Sequence, residues 1–370
     1  MSEQQTYNII ISGGGTGGHI FPAIAIADKL SELIPKSNIL FIGAKGKMEM
    51  EKVPAAGYEI KGLEIAGFQR GHILKNISFP FKVFKSMYHA FIIIKKFKPH
   101  IAIGVGGYAS GPMLMMCALL RIKIVIQEQN FYPGVTNKIL SKFAKKIFVA
   151  YQNMDVFFPK HKLLYLGNPV RKSITTSISK ESAHNELGFD INKKTVFIMG
   201  GSLGARTLND SIINHLNELS SQDIQLIWQT GSLYYKDIKK QIGEIPAGIK
   251  VYEFIQNINL CYAAADIIVS RAGALSVSEL CIIGKPIILV PSPNVSEDHQ
   301  TKNAMALVEK NAAILIKDNE SREKLYTNII DLLNDDKKQS ELSTNIKELA
   351  LPEATTDIAK NIIKVLKNEY

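Results

Sequence analysis

Ser12-Gly13-Gly14-Gly15-Thr16-Gly17-Gly18-His19 follows an apolar run and leads into a segment of helical periodicity. Glycines at such a junction let the main chain approach an anionic or polar ligand, and the first N–H groups of the helix carry partial positive charge with no partner inside it. His19 adds a side chain whose ordinary pKa, about 6.5, suits proton transfer near neutrality. Gly200-Gly201-Ser202-Leu203-Gly204 repeats the arrangement in the second half. A third group, Ser270-Arg271-Ala272-Gly273-Ala274-Leu275-Ser276-Val277-Ser278-Glu279, also lies between strand-like and helix-like segments. Ser276 and Glu279 have capping-box spacing, which is a structural role. The chemical alternative gives Glu279 two acceptor oxygens for the cis-diol of a ribose, while neighbouring N–H groups meet phosphate. Glu297-Asp298-His299-Gln300-Thr301-Lys302-Asn303 is a polar cluster suited to sugar hydroxyls, although loop polarity alone accounts for it equally.

These groups need a scaffold of alternating strands and helices. Tyr7–Ser12, Ile39–Gly43, Tyr58–Leu63, Ile101–Gly104, Ile124–Gln127 and Lys146–Val149 are short Ile- and Val-rich runs, as expected of parallel strands buried on both faces. The second half restarts the pattern with Thr195–Met199, Gln225–Trp228, Lys250–Phe254, Asp266–Ser270, Pro286–Val290 and Ala313–Ile316. Ile20, Ala23, Ile24, Ala27, Leu30 and Ile34 mark a helix after the first glycine loop, and Ala205, Leu208, Ile212, Leu216 and Leu219 mark one helix after the second. The expectation is an α/β chain of two doubly wound domains, 1–168 and 169–351, whose glycine loops face a shared deep cleft. The helix expected over Pro352–Lys367 lies beyond the second repeat, and its period leaves open whether it caps that domain or packs back, with 352–370, on the first.

The chain has 370 residues, 46% hydrophobic and 21% charged, which suits two globular cores and excludes disorder, collagen-like repeats and a disulfide-stapled miniprotein. Apolar runs such as Met113–Leu120 are shorter than a membrane span, and polar Met1–Thr6 leads to the expectation of no signal peptide. Cys117, Cys261 and Cys281 stand singly, as core thiols of a reducing compartment do. Gly13, Gly15 and Gly18 satisfy G-x-G-x-x-G, but the second strand ends Phe41-Ile42-Gly43-Ala44-Lys45 without the acidic residue that a dinucleotide site needs, and no GxxxxGK[ST] occurs. Asp-x-Asp is also missing, so neither a metal nor a cofactor is expected.

Charge is concentrated. Residues 1–168 contain 21 Lys and Arg against 9 Asp and Glu, whereas the rest of the chain is nearly balanced at −2, for a total of +10. Glu64 and Glu128 bracket a stretch with no acidic residue, holding Phe68-Gln69-Arg70, Ile73-Leu74-Lys75, Phe79-Pro80-Phe81-Lys82-Val83-Phe84-Lys85 and Phe91-Ile92-Ile93-Ile94-Lys95-Lys96-Phe97-Lys98. Interleaved aromatic, aliphatic and basic residues suit an anionic bilayer surface. A solvated basic helix face over an ordinary core is the alternative, and no nucleic-acid-binding motif accompanies the charge.

Six motifs in order resemble the MurG family, the bacterial cell-wall N-acetylglucosaminyltransferases that make lipid II. They are Gly14-Gly15-Thr16-Gly17-Gly18-His19-Ile20-Phe21-Pro22, Gly106-Gly107-Tyr108-Ala109-Ser110-Gly111-Pro112, Glu128-Gln129-Asn130, Gly167-Asn168-Pro169-Val170-Arg171, Gly200–Ala205 and Arg271–Glu279. The resemblance implies a GT-B fold and inverting, metal-independent transfer of N-acetylglucosamine from UDP-N-acetylglucosamine to the C4 hydroxyl of muramic acid on undecaprenyl-pyrophosphoryl-N-acetylmuramyl-pentapeptide (lipid I). It implies a peripheral place on the cytoplasmic face of the inner membrane, with the first domain taking the acceptor, and a part in cell shape and division alongside cell-wall synthesis and division proteins. It implies that Ile255 reads uracil through its main chain, that Glu279 holds the ribose, and that Ala274, Leu275, Ser276, Val277 and Ser278 line the donor site. Ser202 and Arg171 would serve the diphosphate; Gln300, Asn130, Thr16, Gly17 and Gly18 would surround the sugar. Two departures stand out: Leu203 replaces a Gln common among relatives, and Gln127 stands where others carry His. His19 is the expected general base, with Glu128 as runner-up.

Overall fold

The computed structural model describes residues 6–65, 79–176 and 178–370. They divide into two compact units, Met1–Arg171 with Leu351–Tyr370, and Lys172–Ala350. The join thus falls at Arg171–Lys172, slightly beyond the expected 168.

In the first unit the chain runs β1 (Tyr7–Ser12), α1 (Gly17–Leu33), β2 (Ser37–Ala44), α2 (Glu49–Ala55), β3 (Glu59–Leu63), α3 (Phe79–Phe97), β4 (Ile101–Gly104), α4 (Ser110–Leu119), β5 (Lys123–Glu128), α5 (Val135–Leu140), β6 (Lys146–Val149) and β7 (Leu163–Tyr165). Among the described residues the strands form one sheet in the order β3-β2-β1-β4-β5-β6-β7, every pair parallel. Ile9, Ile10 and Ile11 are fully buried, because alternate residues of β1 feed apolar cores on opposite faces of the sheet.

The second unit runs α6 (Lys180–Leu187), β8 (Lys194–Met199), α7 (Arg206–Asn214), α8 (Leu216–Ser221), β9 (Ile224–Gln229), α9 (Tyr235–Ile242), β10 (Ile249–Tyr252), α10 (Ile258–Ala264), β11 (Ile267–Ser270), α11 (Ala274–Ile283), β12 (Ile287–Leu289), α12 (His299–Val308), β13 (Ile314–Leu315), α13 (Ser321–Leu333) and α14 (Asp336–Glu348). Its parallel sheet has the order β10-β9-β8-β11-β12-β13.

Strand order reverses direction at β1/β4 in the first sheet and at β8/β11 in the second, and both glycine loops leave the carboxyl ends of strands at those switch points. This is where open α/β sheets bind ligands.

One expected helix is broken, and the helix whose packing the sequence leaves open joins the first unit. The helix expected through Ala205–Leu219 breaks at His215 (φ −123°, ψ 21°) into α7 and α8. The final helix, α15 (Ala354–Lys367), belongs to the first unit, burying Ile358, Ala359, Ile362, Val365 and Leu366 in the core that covers β1 and α1.

Candidate active site

In the first unit Thr16 and the first turn of α1 (Gly17, Gly18 and His19) follow the carboxyl end of β1, while Glu128 ends β5 and Asn130 lies on the loop after it. Thr16 is the N-cap of α1 with extended backbone, but its exposed side chain makes no capping bond. The first-turn N–H groups of Gly17 and Gly18 have no acceptor within the helix, and this turn can therefore receive an anion.

The His19 ring lies over Gly106 and Gly107. A Cβ on Gly106 would come within 2.9 Å of the ring, and one on Gly107 would lie 2.4 Å from the Gly14 carbonyl oxygen; both glycines also have positive φ. A side chain at Gly106 would push on the imidazole, and one at Gly107 would collide with the Gly14 carbonyl beside it. His19 Nδ1 lies 2.9 Å from Gln129 Oε1, and the buried Gln129 also binds the Val105 carbonyl at 2.7 Å.

Glu128 is buried, and its two oxygens accept from the Asn130 N–H (3.0 Å), Asn130 Nδ2 (3.4 Å), the Gly134 N–H (3.3 Å) and Asn137 Nδ2 (2.9 Å). A carboxylate occupied by four donors shapes the loop after β5, which counts against the runner-up role as base. Gln127, the departure from the family's His, is fully buried and donates through Nε2 to Asn168 Oδ1 at 3.0 Å.

Sequence reasoning missed Glu49. This 1%-exposed carboxylate accepts from the Gly15 N–H (3.0 Å) and the Ala44 N–H (2.9 Å), bracing the glycine loop against the end of β2. An acidic residue does serve the end of β2, then, but it stands five positions past Ala44 on α2 and both its oxygens hold main-chain donors. Burial, and secondarily the Glu49 carboxylate, hold the neighbouring Tyr108 hydroxyl above its ordinary pKa range. Tyr108 also forms one wall of an apolar cavity of about 260 Å³, lined further by Ile65, Val83, Met87, Met115 and Ile139.

In the second unit, Gly200–Gly204 sits against Thr230-Gly231 so closely that a Cβ on Gly204 would lie 2.1 Å from the Thr230 carbonyl oxygen. Ser202 is exposed, and its carbonyl accepts from the Ser232 N–H (3.1 Å) and hydroxyl (3.3 Å). Leu203 is 62% exposed. Ile255 is buried, but its N–H already donates to Gln229 Oε1 at 3.0 Å while Gln229 Nε2 donates to the Gly201 carbonyl at 3.1 Å. Uracil recognition through that N–H therefore requires the Gln229 carboxamide to yield, a condition absent from the sequence expectation.

The capping-box role is corrected. Helix α11 begins at Ala274 with Gly273 as its N-cap, so Ser276 lies inside the first turn. Ser278 Oγ donates to the Ala274 carbonyl at 3.1 Å. Ala274 and Val277 are buried, Leu275 and Ser276 half-buried, and Glu279, 6% exposed, accepts from the Tyr262 hydroxyl at 3.4 Å. Arg271 pairs with Asp318 and donates to the Val290 (2.9 Å) and Pro291 (3.2 Å) carbonyls and to Thr207 Oγ1 (3.2 Å), tying the loop after β12 to the start of α7. Gln300, at the start of α12, accepts from the Ser292 N–H at 2.9 Å. Arg171 is exposed and ends the first unit's main segment. Among the described residues no group of three His, Cys, Asp or Glu is placed to hold a metal ion.

The exposed face of α3 carries Phe81 (81% exposed), Phe84, Tyr88 and Ile92 in one stripe, flanked by exposed Lys82, Lys85, Lys95 and Lys96. Residues 68–70 and 73–75 of the basic stretch lie outside the described residues. Among the described residues no helix is long and apolar enough to cross a membrane.

Residues 9–149 match the glycosyltransferase family 28 N-terminal domain and 195–362 the family 28 C-terminal domain. The chain is 53% identical, over 99% of both chains, to a UDP-N-acetylglucosamine--N-acetylmuramyl-(pentapeptide) pyrophosphoryl-undecaprenol N-acetylglucosamine transferase of Flavobacterium psychrophilum. It is 52% identical, over 100% of both, to the enzyme of that name from Cytophaga hutchinsonii. A crystal structure of Acinetobacter baumannii MurG superposes with a TM-score of 0.78 at 28% identity, covering 97% of this chain and 100% of that one. Two parallel-sheet Rossmann-like domains of GT-B type, matched end to end by these relatives, place the chain in glycosyltransferase family 28, among the MurG N-acetylglucosaminyltransferases.

Proposed function

We propose that this chain moves N-acetylglucosamine from UDP-N-acetylglucosamine to the C4 hydroxyl of the muramic acid of lipid I, giving lipid II with inversion at the anomeric carbon. The observation that carries this reading is the full-length match at 53% identity to a relative of that named activity. His19, held by Gln129 and seated on Gly106-Gly107, takes the hydroxyl proton as the oxygen attacks C1. The leaving diphosphate gains its support from the main chain of Gly200–Gly204, the start of α7, Ser202 and Arg171. Glu279 accepts from the ribose diol, Ile255 reads uracil once Gln229 gives way, and Ala274–Ser278 shape the pocket. Gln300, Asn130 and Thr16–Gly18 attend the sugars.

The apolar and basic face of α3 supports a peripheral place on an anionic membrane, where a lipid-linked acceptor resides. Cell-wall synthesis and division proteins are the partners this place implies.

Radiolabelled UDP-N-acetylglucosamine incubated with a lipid I analogue, and separately with diacylglycerol, tests the reaction. Label should enter only the lipid I analogue, and label in diacylglycerol or in neither would refute the assignment. His19→Ala should lower turnover by ~10²-fold or more with donor affinity nearly intact. Glu279→Ala should raise the donor KM, and an unchanged KM removes the ribose role.

A further inference from the structure

We propose that Gln129 is a positioning residue that fixes the protonation site of His19, so that Nε2 is the ring nitrogen left bare to accept a proton; this rests on the reading of His19 as the base. Three side-chain amides determine the tautomer through their orientation. Gln129 Nε2 lies 2.7 Å from the Val105 carbonyl oxygen and also meets Gln127 Oε1. Both of those atoms only accept, so the NH₂ end of Gln129 faces them and its Oε1 faces His19 Nδ1 at 2.9 Å. An amide oxygen cannot donate, and therefore Nδ1 carries the hydrogen.

Gln127 is fixed in turn, because its Nε2 donates to Asn168 Oδ1 (3.0 Å) and Asn168 Nδ2 donates to the Gln129 carbonyl (3.0 Å). Gln127, Gln129 and Asn168 are each no more than 2% exposed, so water offers them little competition. Reversing any one amide would set donor against donor or acceptor against acceptor along the chain. Asn168, which the chemistry of transfer does not otherwise use, thereby gains a role, since it holds the amide that holds the histidine. A neutral imidazole protonated at Nδ1 has its only lone pair at Nε2.

The ionisable groups on the segments around His19 are Glu49, Tyr108 and Glu128. Glu49 is bound by the Gly15 and Ala44 N–H groups, Glu128 by the loop after β5, and Tyr108 is held above its ordinary range. None of them supplies the Nδ1 contact, which is Gln129's.

Selective ¹⁵N labelling of histidine, with His19 identified by the signal lost in His19→Gln, tests the wild-type protein directly. The expected spectrum has a protonated Nδ1 and an unprotonated Nε2; an Nε2–H tautomer overturns the proposal whatever the kinetics show. Gln129→Glu supplies a carboxylate to Nδ1–H, which stabilises the imidazolium. The acid limb of kcat/KM, along which activity is lost as the base is protonated, should then move about one unit or more to higher pH. Gln129→Leu should lose the single tautomer and lower kcat. Equal losses in both variants with the acid limb unmoved would mean that Gln129 only fills space, and would also overturn the proposal. If the Nδ1–H tautomer is found but His19→Ala turns over normally, the base assignment fails, and the catalytic part of the proposal with it; the tautomer result keeps the two failures distinct.

Discussion

Replacing Glu49 by Ala removes both acceptors that fasten the first glycine loop to the end of β2. The Gly15 and Ala44 N–H groups, now 3.0 and 2.9 Å from the carboxylate, would face a space that only the buried Glu49 side chain fills. Each abandoned buried donor costs about 1–3 kcal/mol. The carboxylate's own desolvation cost disappears with it, which offsets part of the loss, and a net of about 2–4 kcal/mol is expected. At about 1.4 kcal/mol per decade, that is roughly a 30- to 1000-fold increase in local opening. Amide hydrogen exchange on peptides spanning 13–18 and 40–47 reads this opening without requiring the two units to unfold together. Glu49→Gln keeps one acceptor and should fall between wild type and Ala. Turnover should drop with the protection, since Gly14 carries the carbonyl that packs on Gly107 beneath His19. If both peptides of Glu49→Ala stay within about threefold of wild type, the carboxylate is not what holds the loop.

Arg271→Met leaves the half-buried Asp318 without its guanidinium and with only the Thr207 hydroxyl on its carboxylate, at a cost of about 1–3 kcal/mol, and should lower the calorimetric Tm of the second unit. The double variant Arg271→Met with Asp318→Leu should recover part of that loss, and a double variant as unstable as the sum of the singles would refute the pairing. Burial pushes the thiols of Cys117, Cys261 and Cys281 up to about 12. Because disulfide reagents react with thiolate, they should label all three at pH 8 only as the chain unfolds, and rapid labelling of the native protein would contradict their burial. Exchanging Lys82, Lys85, Lys95 and Lys96 for Glu should abolish salt-sensitive binding to phosphatidylglycerol vesicles, and binding that survives the exchange would discredit α3 as the contact.

Strands buried on both faces were legible because nothing competes with their pattern: Ile9–Ile11, Ile101–Ile103 and Ile267–Val269 are apolar at consecutive positions, which neither a loop nor a surface helix tolerates. β7 was not, since Leu163–Tyr165 is a three-residue edge strand whose residues are only partly covered. The break at His215 was invisible for another reason. Ile212, Leu216 and Leu219 keep helical spacing through it, so period alone reports one helix where the backbone makes two. The glycine loops and Glu279 announced themselves by residue type. Their supports did not, because a brace is defined by what it touches: Glu49 reaches back 34 residues to Gly15, and Gln229 reaches forward 26 to Ile255. A carboxylate shortly after the second strand was the one available signal for Glu49, and a search confined to the strand's last residues passes over it.

The two braces also differ in charge, and that difference bears on which loop is better suited to a diphosphate. Beneath the first glycine loop lies a buried carboxyl group that takes the Gly15 N–H for itself. When ionised, it lowers the electrostatic potential where phosphate would sit, and it leaves only the first turn of α1 for a polar or singly charged group. The second loop is braced by a neutral carboxamide, Gln229, which binds the Gly201 carbonyl rather than an N–H. That bond turns a carbonyl oxygen, which would repel phosphate, toward the protein and away from a ligand, and it consumes none of the loop's donors. Arg271, which reaches the start of α7 through Thr207 Oγ1, has its charge matched by Asp318 and so adds little to the attraction for anion that the main-chain dipoles of the helix start provide. On electrostatic grounds alone, then, the second glycine loop suits a diphosphate better than the first does, which supports the proposed roles of Ser202 and His19.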